Sequence, residues 1–186
     1  MIRGHRPDDA TVVGALVTEA FADDGRVAGL VDELRATHAR AELVAEEEDR
    51  LVGHVLLSRS WVDARRALVE VLVLSPLSVA PDRQGRGLGT ALLAAAVEAA
   101  RGLGAPAVFL EGDPGYYAAR GFAPATPLGF TRPSVRIPEP AFQVAVLEAH
   151  EEWMAGALVY CEPFWARDCV GLRDPDLTRV EHAFES

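Results

Sequence analysis

Three glycines alternate with other residues near the middle of the chain, beside two arginines, in the segment Arg83-Gln84-Gly85-Arg86-Gly87-Leu88-Gly89-Thr90. An apolar run typical of a strand precedes this segment, and an Ala- and Leu-rich run typical of a helix follows it. Glycine lets a backbone curl and approach a ligand closely, because no Cβ stands in the way. A helix start adds unpaired N–H groups and the positive end of the helix dipole. The segment therefore predicts an anion site, most readily for a pyrophosphate.

A dinucleotide-binding loop of a redox protein is one alternative for these glycines. Gly85 and Gly87 fit the start of G-x-G-x-x-G, and Glu111 ends the next predicted strand, where a ribose-binding acid would lie. However, Thr90 stands where the third glycine is needed, and the loop comes far from the first strand of the chain. These two departures disfavour the dinucleotide alternative.

The pattern Gln84-x-x-Gly87-x-Gly89 resembles the acyl-CoA-binding motif Q/R-x-x-G-x-G/A of the GCN5-related N-acetyltransferases (GNAT). A second motif of that family, Y-x-x-x-G-F, is similar to the segment that runs from Tyr117 to Phe122. The longer form G-D-P-x-Y-Y at this second motif is similar to a bacterial branch of predicted acetyltransferases, and the resemblance extends over nearly the whole chain. An Asn often precedes this Tyr in the family, whereas here Asp113 occupies that neighbourhood.

The resemblance implies a GNAT-type α/β fold with a mixed central sheet, helices on both faces, and a bulged, splayed central strand. It also implies transfer of an acetyl group from acetyl-CoA to a primary amine by direct attack in a ternary complex, with no metal. A non-catalytic acyl-CoA sensor is a further alternative. The resemblance assigns acetyl-CoA binding to two stretches, one that would pair with the pantetheine arm and one that would hold the pyrophosphate: Leu77, Ser78 and Val79, then Gln84, Gly85, Arg86, Gly87, Leu88, Gly89 and Thr90.

Tyr117 matches the general acid of the family. A phenol with an ordinary pKa near 10 is protonated at neutral pH and can donate a proton to a departing thiolate. The adjacent Tyr116 is assigned to packing, because neighbouring side chains on a short helix point in different directions. The general base stays open between a water chain and five side chains, which are His54, Glu70, Glu111, Asp113 and Glu148.

Several elements have to position these groups. Pro76 interrupts the strand-like run from Ala67 to Val79, and proline cannot donate a ladder hydrogen bond, so we expect a bulge that separates this strand from its next neighbour. We expect a single domain over residues 1–186, with residues 148–186 as a C-terminal extension packed on it. Within the extension, helix is predicted from Glu151 to Leu158, and the last dozen residues are expected to fray.

Composition narrows the classes of partner. The chain has 186 residues, 49% of them hydrophobic, and a formal net charge of −10. This acidity argues against nucleic acid as the partner, because binding phosphates needs a basic surface. All 18 basic residues are Arg, so a Schiff-base lysine and a P-loop lysine are both excluded. The two cysteines, Cys161 and Cys169, have neither the density of a disulfide scaffold nor the spacing of a zinc site.

Charge and hydropathy also predict an acceptor and a location. Residues 139–186 hold ten acids and three arginines, so they carry seven of the ten net negative charges. We therefore expect a small-molecule or peptide amine that is cationic or neutral. No apolar run is long enough to span a membrane and none resembles a signal peptide, which predicts a cytoplasmic protein with no membrane partner. A homodimer is left open.

Overall fold

The computed structural model describes residues 1–185, an α/β protein with a mixed sheet flanked by helices, as predicted. Its strands are β1 (Ile2–Gly4), β2 (Ala39–Glu47), β3 (Arg50–Ala64), β4 (Leu68–Val79), β5 (Ala107–Glu111), β6 (Ala123–Pro124), β7 (Phe142–Val146) and β8 (Gly156–Val159). Its α-helices are α1 (Ala10–Phe21), α2 (Arg26–Thr37), α3 (Leu88–Gly102), α4 (Pro114–Tyr117), α5 (Glu162–Ala166) and α6 (Asp176–Phe184). Within residues 1–185, no helix is both long and apolar enough to cross a bilayer.

The sheet runs in the order β1-β2-β3-β4-β5-β7-β6, with β8 paired to β3. The hairpin between β2 and β3 turns at Glu48 and Asp49, whose φ angles are 49° and 61°. Two positive φ angles in a two-residue loop match the twist of a hairpin. The pair β4–β5 is parallel, whereas β5–β7 and β6–β7 are antiparallel. The sheet is therefore mixed.

Strand β4 directly precedes the glycine segment in the chain. It continues through Pro76 as one strand. Its parallel ladder with β5 consists of Leu72 opposite Val108 and Val73 opposite Phe109. The ladder ends at Val73, three residues before Pro76, and the bulge expected at Pro76 stays a prediction.

The chain forms two compact units, and the first comprises Met1–Arg59 and Leu74–Gly104. Helices α1 and α2 pack on each other, and both α2 and α3 contact β2. Apolar residues recur at helical spacing on the inner side of each helix, which is why these segments form amphipathic helices. The buried residues are Val13, Leu16 and Val17 on α1, Leu30, Val31 and Leu34 on α2, and Leu92, Leu93, Ala96 and Ala100 on α3.

The second unit comprises Ser60–Val73 and Ala105–Ser186. An aromatic cluster forms part of its core. The ring of Phe109 meets Phe130 edge-on, with centroids 4.9 Å apart, and stacks with Phe142 at 5.8 Å. Aromatic pairs of this geometry add to the stabilisation from burial alone.

The C-terminal region of this unit differs from the sequence expectation. The helix predicted from Glu151 to Leu158 is wrong, because Gly156–Val159 forms β8 and only Glu152–Met154 makes a short 3₁₀ turn. At Gly156 an added Cβ would lie 2.2 Å from the Asp63 carbonyl oxygen, so glycine permits the close pairing of β8 with β3. Fraying was expected over the last dozen residues, but Asp176–Phe184 forms helix α6.

Candidate active site

The glycine segment connects β4 to α3 within the first unit. After Val79 the chain makes a 3₁₀ turn over Pro81–Arg83, and α3 begins at Leu88. Gly85 and Gly87 have φ angles of 73° and 85°, in the left-handed region that glycine enters without strain. An added Cβ at either glycine would meet no atom within 4 Å. Their glycine identity is therefore required by the backbone path, while the space beside them stays open for a ligand.

One hydrogen bond and the burial pattern of β4 shape the approach to this loop. The side-chain amide of Gln84 donates a hydrogen bond to the Val79 carbonyl oxygen at 3.2 Å, which ties the loop to the end of β4. Ser78 is buried, whereas Leu77 and Val79 are half-buried and share the opposite face of the strand. Thr90, which is exposed, lies in the first turn of α3, and Gly89 is half-buried beside it. All ten residues assigned to acetyl-CoA thus follow one continuous strand, loop and helix start.

The two arginines of the segment differ in their surroundings. Arg83 is held by Glu47 at 3.2 Å and by Asp82 at 2.8 Å, and Asp82 also pairs with Arg50. Arg86 is exposed. Its guanidinium is therefore better placed than that of Arg83 to meet an anion at the loop.

Tyr117 lies at the end of α4 in the second unit. Its ring packs against Gly112, where an added Cβ would come within 2.3 Å of the ring, and it meets Phe122 edge-on at 5.9 Å. Burial raises the pKa of Tyr117 to about 12, because a phenolate loses its hydration there. The hydroxyl therefore stays protonated throughout the neutral range.

Tyr116 has a different environment from its neighbour. The Arg120 guanidinium lies 3.8 Å from the centre of the Tyr116 ring and also donates to the Tyr116 carbonyl oxygen. This cation–π contact fits the packing role predicted for Tyr116. Asp113 caps α4, since its carboxylate accepts a hydrogen bond from the Gly115 N–H at 2.8 Å.

The structure separates the candidate bases. His54 is fully buried in the first unit and hydrogen-bonds Glu42 at 2.9 Å. Burial lowers the pKa of His54 against the effect of that bond, so its ring is neutral at pH 7. Glu70 and Glu148 are exposed. His54 is enclosed by the core, and Asp113 is exposed and caps α4.

Glu111 stands apart from the other candidates. One carboxylate oxygen accepts from the Tyr160 hydroxyl at 2.9 Å, and the other accepts from the Gly171 N–H at 3.1 Å. Burial nevertheless raises the pKa of Glu111 to about 7, because these bonds and the more distant Arg136 offset the lost hydration only in part. A general base works best with a pKa near the operating pH. Glu111 thus combines a pKa near 7 with partial exposure.

Glu111 also lines a cavity of about 380 Å³ in the second unit. Gly112 and Asp113 continue its polar edge, and the remaining walls are apolar, formed by Pro138, Ala141, Leu172, Val180 and Phe184. Sequence reasoning missed this cavity, because Val180 and Phe184, two of its lining residues, lie in the last dozen residues, where fraying was expected. The spacing of Leu177, Val180 and Phe184 at one helical face was the signal that could have revealed α6.

Other expectations concern cysteines and metals. Cys161 is buried, and its backbone N–H donates to the Ser60 hydroxyl at 3.3 Å, so it is a core residue as expected. Within residues 1–185, no group of three His, Cys, Asp or Glu side chains is arranged to hold a metal ion.

Comparison with known proteins gives a consistent picture. Residues 11–130 match the Acetyltransferase (GNAT) family. The chain is 31% identical over 174 residues to the uncharacterised N-acetyltransferase YjhQ of Escherichia coli K12. The aligned region covers 91% of this chain and 90% of that protein.

Two solved structures resemble this fold along most of its length. The GNAT family N-acetyltransferase YhbS from Escherichia coli, in complex with CoA, has a TM-score of 0.78 and 28% identity, covering 88% of this chain and 91% of that one. A GNAT family acetyltransferase from Brucella melitensis, in complex with acetyl-CoA, has a TM-score of 0.73 and 30% identity, covering 88% of this chain and 97% of that one.

Proposed function

The chain belongs to the GNAT family and is an acyl-CoA-dependent N-acetyltransferase, and from this premise we propose that it acetylates a primary amine directly, in a ternary complex with acetyl-CoA. The observation that carries the proposal is the open backbone path from β4 to α3. The positive φ angles of Gly85 and Gly87 turn the loop ahead of the helix start, and no side chain fills the space beside them. Backbone N–H groups presented in this way bind phosphate oxygens.

The residues of this segment have separate roles in the proposal. N–H groups from Gln84 to Thr90 hold the pyrophosphate, with Arg86 adding positive charge. The half-buried edge from Leu77 to Val79 pairs with the pantetheine arm, and Gln84 fixes the loop to that edge through the Val79 carbonyl. The solved relatives bound to CoA and acetyl-CoA support this choice of co-substrate.

Direct transfer is favoured over an acetylated enzyme. Cys161, the more deeply buried of the two cysteines, is enclosed by the core and cannot meet a thioester. Tyr117 acts as general acid, because its raised pKa keeps the proton on the phenol until a thiolate leaves. Thr90, in place of the third glycine that a dinucleotide loop needs, disfavours the dinucleotide alternative.

Initial rates test this function. Thiol release from acetyl-CoA is measured with a panel of primary amines while both substrates are varied. A ternary complex gives intersecting reciprocal plots, and mass spectrometry of protein mixed with acetyl-CoA alone shows no added acetyl group. Parallel plots with an acetylated Cys would contradict direct transfer. Binding of acetyl-CoA without turnover of any amine would favour the sensor alternative.

Three further expectations, on location, domain number and oligomeric state, go with this proposal. Dependence on acetyl-CoA favours a cytoplasmic location, which cell fractionation tests. A single domain over residues 1–186 predicts one cooperative unfolding transition in calorimetry. A homodimer predicts twice the mass of the 20.0 kDa chain in sedimentation.

A further inference from the structure

We propose that the cavity between the end of β5 and helix α6 is the acceptor pocket, and that it takes a primary amine with an apolar body whose ammonium group binds the Glu111 carboxylate. This inference rests on the proposed function and deepens it. The cavity is lined by residues of the second unit alone. Its lining residues on α6 lie beyond residues 11–130, the range that matches the family. The apolar part of this selectivity therefore belongs to the C-terminal part of the chain, whereas Glu111 lies within the matched residues.

The shape and lining of the cavity point to this ligand class. A volume of about 380 Å³ lies within the usual range of small-molecule sites, roughly 300–1,000 Å³. Leu172, Val180 and Phe184 line one part with apolar surface, while Glu111 and Asp113 supply the acidic groups. An apolar body with one cationic end matches both parts. An anionic ligand would place like charges together in a poorly hydrated space.

Glu111 keeps room for an ammonium group. A carboxylate offers about four acceptor positions, and the Tyr160 hydroxyl and the Gly171 N–H each occupy one. Both donors are neutral, and they fix the carboxylate without supplying a positive charge at hydrogen-bond distance. An incoming ammonium can therefore bind Glu111 without displacing either partner.

The cavity also adjoins the proposed general acid. The Tyr117 ring packs on Gly112, which itself lines the cavity next to Glu111. The groups that deliver and remove protons are thus held by neighbouring positions of one short segment. Asp113 strengthens this arrangement, because its cap on α4 fixes the helix that carries Tyr117.

The proton balance of the transfer can be assigned to these residues. The bound ammonium gives one proton to Glu111, and the amine lone pair forms the C–N bond to the acetyl carbon. The C–S bond breaks with its electron pair on sulfur, which takes the Tyr117 proton. The second nitrogen proton returns to the Tyr117 oxygen, and Glu111 releases its own proton to water. The products are the amide, CoA thiol and one proton.

Several charged and titratable groups face Glu111 and bear on its titration. Tyr160 follows β8, Arg136 lies in the loop before β7, and Asp113 begins α4. The α6 positions on the cavity are apolar. We expect an acidic limb in kcat/KM with an apparent pKa near 7, which the Glu111→Gln variant loses together with at least tenfold in rate. Glu139→Gln, at an exposed carboxylate, keeps the limb.

Calorimetry with 2-phenylethylamine in the presence of CoA tests the pocket without turnover. Val180→Phe fills the cavity and should weaken binding at least tenfold, whereas Val135→Phe makes the same change at an exposed position and should not. The acid 3-phenylpropionate, which has the same phenylethyl body, should bind at least tenfold more weakly than the amine. Equal affinities in the two variants, or tighter binding of the acid, would overturn the proposal.

A second variant guards against misfolding of Val180→Phe. Phe184 is 40% exposed, so Phe184→Ala opens the cavity with little loss of core packing. It should raise kcat/KM for 4-phenylbutylamine relative to 2-phenylethylamine, and an unchanged ratio would contradict the pocket. If wild-type protein binds 2-phenylethylamine here but acetylates no amine, the proposed function fails and the pocket stands. If amines are acetylated and Val180→Phe behaves as Val135→Phe, the function stands and the pocket fails.

Discussion

At the scale of single residues, two neighbouring tyrosines have different contacts and therefore different predicted roles. Tyr116 lies beneath the Arg120 guanidinium, so its ring is engaged in a cation–π contact. Tyr117 packs on Gly112 and Phe122, and burial raises its pKa to about 12. The sequence motif predicts which tyrosine is the acid, whereas the contact that occupies the other one depends on a fold that spacing alone does not describe.

The comparison of Tyr117→Phe with Tyr116→Phe tests this division. Tyr117→Phe keeps the ring and removes the hydroxyl, so kcat should fall by about 10²–10⁴-fold, the usual contribution of a general acid. The affinity for acetyl-CoA should change little, because the ring packing is preserved. Tyr116→Phe is the matched control and should retain most of kcat. Thermal unfolding of both variants checks the fold, and parental turnover by Tyr117→Phe would assign the acid to another group.

At the scale of elements, the glycine segment shows that its glycines are not equivalent. Gly87 has a φ of 85°, so a bulky residue there would strain the backbone as well as block a ligand. Gly89 lies within the first turn of α3, where side chains are tolerated. A substitution at Gly89 therefore reports on the ligand more cleanly than one at Gly87.

Gly89→Val should weaken acetyl-CoA binding at least tenfold, about 1.4 kcal/mol, because a branched side chain would crowd the N–H groups that we propose bind the pyrophosphate. Gly102→Val is the matched control at the last residue of the same helix, where an added Cβ meets nothing within 4 Å. Isothermal calorimetry on both variants gives the two affinities. If they are equal and both proteins are folded, the pyrophosphate is not held at this helix start.

A buried polar cluster joins several elements of the first unit. Glu42 on β2 accepts hydrogen bonds from His54 on β3 and Arg35 on α2. Burial alone would raise the pKa of Glu42, but these bonds prevail and lower it to about 2. Because the folded pKa lies below the unfolded value near 4.3, the carboxylate stabilises the fold fully above pH 4.3, and this contribution is lost as the pH falls toward 2.

Glu42→Gln should therefore reduce the free energy of unfolding by about 1–3 kcal/mol at pH 7, since Arg35 and His54 lose their charged partner. It should also flatten the decline of stability below about pH 4.3. Glu47→Gln, at a half-exposed pair with Arg83, provides the control and should change stability by less than about 0.5 kcal/mol. Urea unfolding across pH measures both effects, and equal losses in the two variants would exclude a special role for the buried cluster.

Some elements could be predicted from the sequence and others could not. The glycine loop, β4 and β5 were predictable, because local spacing and glycine content determine them. Strand β8 was not, since the pairing of Leu158 with Val62 on β3 is a contact between distant parts of the chain. The carboxylate of Glu111 was a candidate in sequence, but its burial and its hydrogen bonds to Tyr160 and Gly171, which lie 49 and 60 positions away, depend on distant contacts.

At the scale of the whole molecule, the charge is uneven along the chain. Residues 139–186 carry seven of the ten net negative charges, and they include the α6 wall of the proposed acceptor pocket. A negative field of this kind raises the encounter rate of cations and is screened by salt. The sequence predicts the sign of this field, but not the cavity that it surrounds.

The salt response of two amines measures this field. For 2-phenylethylamine, which is cationic at neutral pH, kcat/KM should fall as ionic strength rises. For aniline, which is neutral at that pH, kcat/KM should fall less, while any effect of salt on acetyl-CoA binding is common to both. Identical slopes for the two amines would mean that the field does not act on the acceptor.

Helix α6 can be exchanged separately from the residues proposed to bind acetyl-CoA and to transfer protons. Its residues wall the proposed pocket, yet they lie outside the segment that matches the family, which ends at position 130. Exchange of Asp176–Phe184 for the corresponding helix of another relative would then graft a new preference while the glycine loop and Tyr117 remain untouched. Substrate preference would then change through one C-terminal helix that contains no buried residue, without altering the residues proposed to bind acetyl-CoA.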